Sequence, residues 1–339
     1  MNTRIYQWHK DDETHIVQDA ASTLTHGGLV VFPTETVYGI GANALDPLAA
    51  RRIYEVKGRP SDNPLIVHIA DPNDLPSYAI TDHPAIAPLI QSFWPGPLTL
   101  VLPKRPIVPD AITGGLDTVA VRMPNHPLAL KIIAASGCPI AAPSANTSGT
   151  PSSTAFQHVH ADLNGKVDLI IDGGPSMVGL ESTVLDLTSD VPTILRPGFV
   201  TRSMIANVLR TDVIEGALDE VKDTPRSPGM KYRHYAPKGH VELLEGRPED
   251  LVSFLREQPP SFAVIASHEL CDALGDIPCY DLGPRDDKEA IARSIFGALR
   301  AMDETGVPTI YIEAFEPSEL GVAIMNRLIK AASGHIRRL

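Results

Sequence analysis

Leu29-Val-Val-Phe-Pro-Thr-Glu-Thr-Val-Tyr-Gly39 sets the reading of the fold. A compact apolar run stops at a proline, and a turn bearing small hydroxyl residues follows. The same punctuation recurs through the first two thirds of the chain. Apolar runs at 65–70, 98–102, 119–123, 139–142, 167–171, 183–187 and 193–195 read as strands. Helical character lies between them at 48–56, 84–93, 128–135, 154–161 and 204–209. Proline and glycine mark most joints, as in Trp94-Pro-Gly-Pro97 and Asp172-Gly-Gly-Pro175. The strands are β-branched runs rather than strict alternations, as expected of a sheet covered on both faces.

Beyond about residue 240 the pattern is simpler. Apolar runs at 241–244, 262–266, 279–282 and 309–314 are each followed by a helical stretch. Ile291, Ile295, Leu299 and Met302 fall on one helical face. Regular β-α alternation implies a parallel sheet with right-handed crossovers, and so a small Rossmann-like or flavodoxin-like domain. It carries neither GxGxxG nor GxxxxGK[ST]. The nearest approach in the chain, Gly39-Ile-Gly41-Ala-Asn-Ala44, lacks the third glycine and lies in the other domain. This C-terminal domain reads as a regulatory or docking layer, or equally as a structural scaffold.

The length of 339 residues suits two domains at about 150 residues each. The chain has 41 acidic and 29 basic residues, for a net charge of −12. Hydrophobic residues make up 43%, which excludes general disorder. No apolar run is long enough to span a membrane. The opening residues are polar and acidic, without the apolar core of a signal peptide. Cys138, Cys271 and Cys279 show no CxxC spacing, so the expectation is a reduced, cytoplasmic chain without a disulfide framework or zinc site. An acidic chain is also a poor primary binder of nucleic acid.

Three segments concentrate groups suited to small anions. Lys57-Gly-Arg-Pro-Ser-Asp-Asn63 places two cations around a glycine. Guanidinium grips phosphate oxygens in pairs, while ammonium acts as a point charge. The same residues are also what an ordinary helix C-terminus looks like. Pro143-Ser-Ala-Asn146, with Thr147, Ser148, Ser152 and Ser153 behind it, ends a β-run where open α/β sheets bind ligands, or is a plain turn. Pro33 to Gly39 lines a pocket or caps the next helix. Thr224 to His240 holds four Lys/Arg and no acid, which suits a solvated linker, but its Met230, Tyr232 and Tyr235 are costly to leave in water and favour a segment that lies on something. His158 and His160 fall on different faces of a helix and suggest no metal site.

Taken in order, these segments match a family. PTETVYGIGANA (33–44), KGRPSDNPLIVHI (57–69), FWPGPLTLVL (93–102), VAVRMPNHP (119–127), APSANTSG (142–149), STVLDL (182–187), ILRPG (194–198) and SPGMKYRHYAP (227–237) run in sequence. The series resembles L-threonylcarbamoyladenylate synthase in its longer, two-domain form. A YrdC-type twisted open mixed sheet with helices is then implied for residues 1–212. Residues 213–240 become a linker and active-site lid, and 241–339 the Rossmann-like parallel α/β domain.

The resemblance implies synthesis of L-threonylcarbamoyl-AMP from L-threonine, bicarbonate or CO2, and ATP, with release of pyrophosphate. The product serves threonylcarbamoylation of the adenosine beside the anticodon in tRNAs reading ANN codons. It passes to the tRNA threonylcarbamoyltransferase machinery, and a weak direct tRNA or RNA contact is the further partner the resemblance implies. Carried over residue by residue, Lys57, Arg59, Ser144 and Asn146 form the catalytic signature. Arg59, Asn63, Thr118, Ser144, Ser152, Arg196 and Tyr235 fall to ATP. Thr36, His68, Arg122, the Ala142 backbone and Ser182 fall to L-threonine. Mg2+ enters with the nucleotide, and no tightly bound organic cofactor is implied. Two other classes compete. An RNA-binding module is disfavoured by the negative charge. A carbamoyl-adenylate enzyme of hydrogenase maturation would bring zinc-finger cysteine pairs, which this chain lacks.

Overall fold

The computed structural model describes residues 2–216 and 235–339, and the chain divides into two units. Residues up to 148, 153–177 and 181–216 belong to the first. Residues 149–152, 178–180 and 235–339 belong to the second.

The first unit begins with β1 (Arg4–Gln7), α1 (Glu13–Thr25), β2 (Val30–Phe32), β3 (Gly39–Asn43), α2 (Pro47–Lys57) and β4 (Ile66–His68). It continues with α3 (Leu75–Tyr78), α4 (Ile86–Phe93), β5 (Leu98–Pro103), α5 (Asp110–Thr113), β6 (Thr118–Arg122) and α6 (Pro127–Ser136). Then come β7 (Ile140–Ala141), α7 (Phe156–Leu163), β8 (Leu169–Asp172), β9 (Thr183–Asp186), β10 (Thr193–Arg196), α8 (Arg202–Leu209) and β11 (Ile214–Glu215). Among the described residues eleven strands form one mixed sheet, ordered β1-β8-β2-β3-β7-β4-β6-β5-β9-β10-β11. The apolar runs expected to be strands are strands. β1, β3 and α1 add elements where no apolar run announces them.

The two faces of this sheet are covered unequally. Val31, Val67, Leu100, Val121 and Leu185 face one long core shared with Ile53 of α2, Leu89 of α4 and Ile205 of α8. On the other face, α1 (Ile16, Ala20, Leu24) and α6 (Leu128, Ile132, Ile133) cover β2, β7 and β8 through Val30, Phe32, Ile140, Leu169 and Ile171. This cover does not extend over β4, β6, β5 and β9. There the apolar layer shrinks to Ile66, Ala120, Val101 and Val184. Side chains alternate along a strand, so His68, Arg122 and Thr99 share that face with Ile66, Ala120 and Val101, as does Ser182 just ahead of β9. The end of this thinly covered face is where polar groups collect.

The second unit holds β12 (His240–Glu245), α9 (Pro248–Arg256), β13 (Phe262–Ala266), α10 (His268–Leu274), β14 (Cys279–Asp281), α11 (Lys288–Thr305), β15 (Thr309–Glu313), α12 (Leu320–Ala331) and β16 (Ile336–Arg338). Its strands are all parallel, in the order β14-β13-β15-β12-β16. This is the α/β alternation expected from the sequence. Ile291, Ile295, Leu299 and Met302 are all buried along α11. One expectation is corrected here. Cys271 of α10 and Cys279 of β14 form a disulfide, leaving Cys138 as the free thiol. Their Cα atoms are 5.6 Å apart because α10 folds back beside β14, a proximity that an eight-residue separation does not reveal.

Candidate active site

Helix α2 delivers the first group. Asp46 caps it by accepting the Leu48 N–H at 2.8 Å, and Pro47 opens it. Its buried face runs through Ala50, Ile53 and Tyr54 to Lys57, so a lysine occupies a core position in the last turn. Lys57 is 2% exposed, and its ammonium donates to the backbone carbonyls of Ser144 and Asn146. Ser144 Oγ in turn donates to Asn146 Oδ1 at 2.6 Å, and Ser148 N–H returns to the Lys57 carbonyl at 2.8 Å. Lys57 therefore ties the end of α2 to the loop after β7. Gly58 closes the helix at φ +61°, a left-handed turn that glycine adopts without strain. It turns Arg59 back, with its N–H on the Tyr54 carbonyl and its Nη2 on the Pro64 carbonyl at 3.2 Å. Asn63 is buried nearby, and its Oδ1 has no hydrogen-bond partner among the described residues. Burial pushes the Tyr54 phenol up to about 12, so it stays neutral while donating to the Asn63 carbonyl.

Arg122, the last residue of β6, anchors the second group. It is 4% exposed. Its Nε donates to the Gly96 carbonyl at 3.2 Å and its Nη1 to Thr36 Oγ1 at 3.0 Å, while Nη2 lies 2.6 Å from Glu35 Oε1. His68 stands opposite Arg122 in the parallel β4–β6 register. Burial first, and then the charge of Arg122, drives the His68 pKa down to about 3, so the imidazole is neutral near pH 7. A neutral ring beside a guanidinium accepts or donates a hydrogen bond without adding charge.

A third group follows at the start of β9. Ser182 Oγ shares a hydrogen bond with Thr99 Oγ1 at 2.8 Å and accepts from Arg196 Nη2 at 3.1 Å. Arg196 Nε donates to the Ser182 carbonyl at 3.1 Å. Ala142 is tied to β4 through its N–H on the Ile66 carbonyl at 2.9 Å, and Ser144 bridges to Gly39.

The structure thus joins Lys57, Ser144 and Asn146 in one knot, Thr36 and His68 around Arg122 in another, and Ser182 with Arg196 in a third. Thr118 lies at the other end of β6, opposite Pro103 and roughly 13 Å along the strand from Arg122. Ser152 and Tyr235 belong to the second unit. There the Tyr235 ring packs on Phe296 at 5.1 Å, and the Ala236 N–H reaches the Gly149 carbonyl. Of the expected linker and lid, residues 217–234 lie outside the described residues. Glu35 is the residue that sequence reasoning passed over. The turn reads by its hydroxyls, and the signal for Glu35 is an acid set between two threonines inside an apolar stretch. Among the described residues, no group of three His, Cys, Asp or Glu is placed to hold a metal ion.

Residues 22–198 match a family model described as "Telomere recombination", and residues 200–333 one described as "Threonylcarbamoyl-AMP synthase, C-terminal domain". The threonylcarbamoyl-AMP synthase of Pyrococcus abyssi is 49% identical, covering 98% of this chain and 96% of that protein. The chain belongs to the threonylcarbamoyl-AMP synthase family. The Bacillus subtilis threonylcarbamoyl-AMP synthase is 45% identical over 95% of this chain and 94% of its own. The crystal structure of P. abyssi Sua5 complexed with L-threonine superposes with a TM-score of 0.91 at 46% identity, covering all of both chains. The family resemblance carried by the eight ordered motifs therefore holds over both domains, and so does the expected pairing of a mixed sheet with a smaller parallel one.

Proposed function

We propose that this chain makes L-threonylcarbamoyl-AMP from L-threonine, bicarbonate or CO2, and MgATP, releasing pyrophosphate. The observation that carries the reading is Arg122, buried at a strand end with Thr36 and neutral His68 beside it. Paired guanidinium N–H groups there suit the carboxylate of an amino acid. In the proposed reaction the threonine amine adds to CO2, losing a proton to give a carbamate. A carbamate oxygen then attacks the α-phosphorus, and the α–β bridging oxygen departs with pyrophosphate. Such a displacement asks for positioning and charge stabilisation rather than a protein nucleophile. Arg59, Asn63, Ser144 and Arg196 are assigned to ATP, with Lys57 and Asn146 shaping the loop that receives it. Thr36, His68, Arg122, Ala142 and Ser182 are assigned to threonine. Mg2+ is part of the nucleotide substrate and neutralises the leaving pyrophosphate.

Residues 1–212 are taken as the catalytic domain and 241–339 as the C-terminal one. The product is taken to serve tRNA threonylcarbamoylation, which places the protein in the cytoplasm with its nucleotide and tRNA. No helix among the described residues is long and apolar enough to cross a membrane. Pyrophosphate release from MgATP, with threonine and bicarbonate omitted in turn and the adduct sought by mass spectrometry, tests the reading. Release that requires both co-substrates supports it. ATP binding without release removes the substrate assignment. Tyr235 enters by its own test: Tyr235→Ala weakens ATP binding or turnover, and unchanged kinetics strikes it from the set.

A further inference from the structure

Arg122 sits in a predicament specific to this chemistry. A guanidinium fork fits a carboxylate and a phosphate equally well. The proposed reaction brings a triphosphate and releases pyrophosphate beside the very group meant for an amino-acid carboxylate. Something must keep the more highly charged anions away.

Glu35 is placed to do so. It is 3% exposed, and its Oε1 lies 2.6 Å from Arg122 Nη2. Neither of its oxygens receives a directed hydrogen bond among the described residues. The turn beneath it is rigid by other means. Thr34 Oγ1 accepts from the N–H groups of Thr36 and Val37, at 3.2 and 3.3 Å, and donates to the Val37 carbonyl at 2.6 Å. The loop therefore does not need the Glu35 carboxylate for its own shape, and burying an acceptor without hydrogen bonds is costly. Its contact is the charge of Arg122.

We propose that Glu35 is the specificity-determining residue of the Arg122 subsite, admitting a monoanionic carboxylate and rejecting phosphate and phosphonate groups. The pair is neutral overall, and of the five guanidinium N–H groups two are spent on Gly96 and Thr36, leaving three for a ligand, while Glu35 meets Arg122 by charge alone. A carboxylate is drawn by the open guanidinium N–H groups, and because the pair holds no surplus positive charge, those contacts have to offset the repulsion of one ligand charge by Glu35. A second ligand charge doubles the repulsion from Glu35 and, with Arg122 already paired, goes uncompensated. This inference rests on the amino-acid reading of the Arg122 end and names how that end chooses its anion.

The test is calorimetric binding to the full-length protein of L-threonine and of its phosphonate analogue, 1-amino-2-hydroxypropylphosphonate. The wild type is expected to prefer the carboxylate by at least ~30-fold, Glu35→Asp to keep that preference, and Glu35→Gln to reduce it to within ~3-fold. A purely structural role would weaken both ligands in proportion and leave the preference unchanged, which would overturn the proposal. Equal binding of the two ligands by the wild type overturns it without any variant, so a poorly folding Glu35→Gln does not rescue it. A wild type that binds neither ligand removes the amino-acid reading and the filter together. Threonine binding with an unaltered preference in Glu35→Gln removes the filter alone.

Discussion

Two halves of the same sheet use the same strand chemistry to different ends. Over β2, β7 and β8 both faces are apolar, because α1 and α6 lie on the second face and remove it from water. Over β4, β6, β5 and β9 the second face carries only Ile66, Ala120, Val101 and Val184 before giving way to His68, Arg122, Thr99 and Ser182. The lesson is that the candidate site arises where the helical cover stops. The polar residues there are almost as buried as the core, so each must be satisfied by a neighbour or by a ligand. Stability should therefore be concentrated in the covered half and chemistry in the thinly covered one.

Arg122→Gln probes the thinly covered half and should have the largest effect. Removing one member of a buried charge pair that also receives substrate should cost about 2–5 kcal/mol, or roughly 30- to several thousand-fold in kcat/KM for threonine. The KM for ATP should move far less in the same steady-state assay, and an equal loss for both substrates would dissolve the distinction between the groups. Ile132→Ala probes the covered half. It should lower unfolding free energy by about 2–5 kcal/mol in a denaturant titration while leaving both KM values unchanged in the folded fraction. A change in threonine KM would mean that α6 serves the site as well as the core.

His68 sharpens the comparison through pH. Its folded pKa, about 3, lies below the ordinary histidine value of 6.5, so the unfolded chain takes up the proton first as pH falls. Its contribution is fully present above pH 6.5 and is lost progressively down to about pH 3. His68→Asn should flatten that part of the stability profile. His126, the cap of α6, is held by burial at about 4 and should leave a smaller, similar slope. The same shift means that His68 produces no inflection in the rate profile near pH 6.5, and an inflection abolished by His68→Asn would contradict the buried, neutral ring. The smallest effect is expected at Asp46→Ala. Losing the α2 cap should cost about 1 kcal/mol of stability by thermal denaturation. Turnover should change little so long as Lys57 holds its loop, and a large drop would show that the knot depends on the helix start.

Most strands were legible because they are continuous apolar runs, and most motif blocks fell where chains turn at strand ends. The misses have physical causes. β3 is Gly-Ile-Gly-Ala-Asn, which reads as a loop. A Cβ at Gly41 would lie 2.6 Å from the Phe32 ring and 2.9 Å from an Ile140 methyl, so close packing removed the side chain that would have marked the strand. β1 is largely exposed along the sheet edge beside β8, and its polar sequence carries no buried-strand signal. α1 begins inside an acidic stretch, and its buried positions Ile16, Ala20, Ala21 and Leu24 are diluted by polar neighbours.

For the candidate site, the residue types at Lys57, Arg59, Ser144, Asn146 and Arg122 were legible, and their partners were not. By itself the sequence determined the two α/β domains, the family and the segments that bear charge, because periodicity, turn residues and motif order are local properties of a chain. Only the tertiary structure decided that Lys57 holds the Ser144 loop, that Cys271 meets Cys279, and that Glu35 faces Arg122. Those pairings join residues from separate elements, and which groups meet is set by strand register and by where the helical cover ends rather than by spacing along the chain.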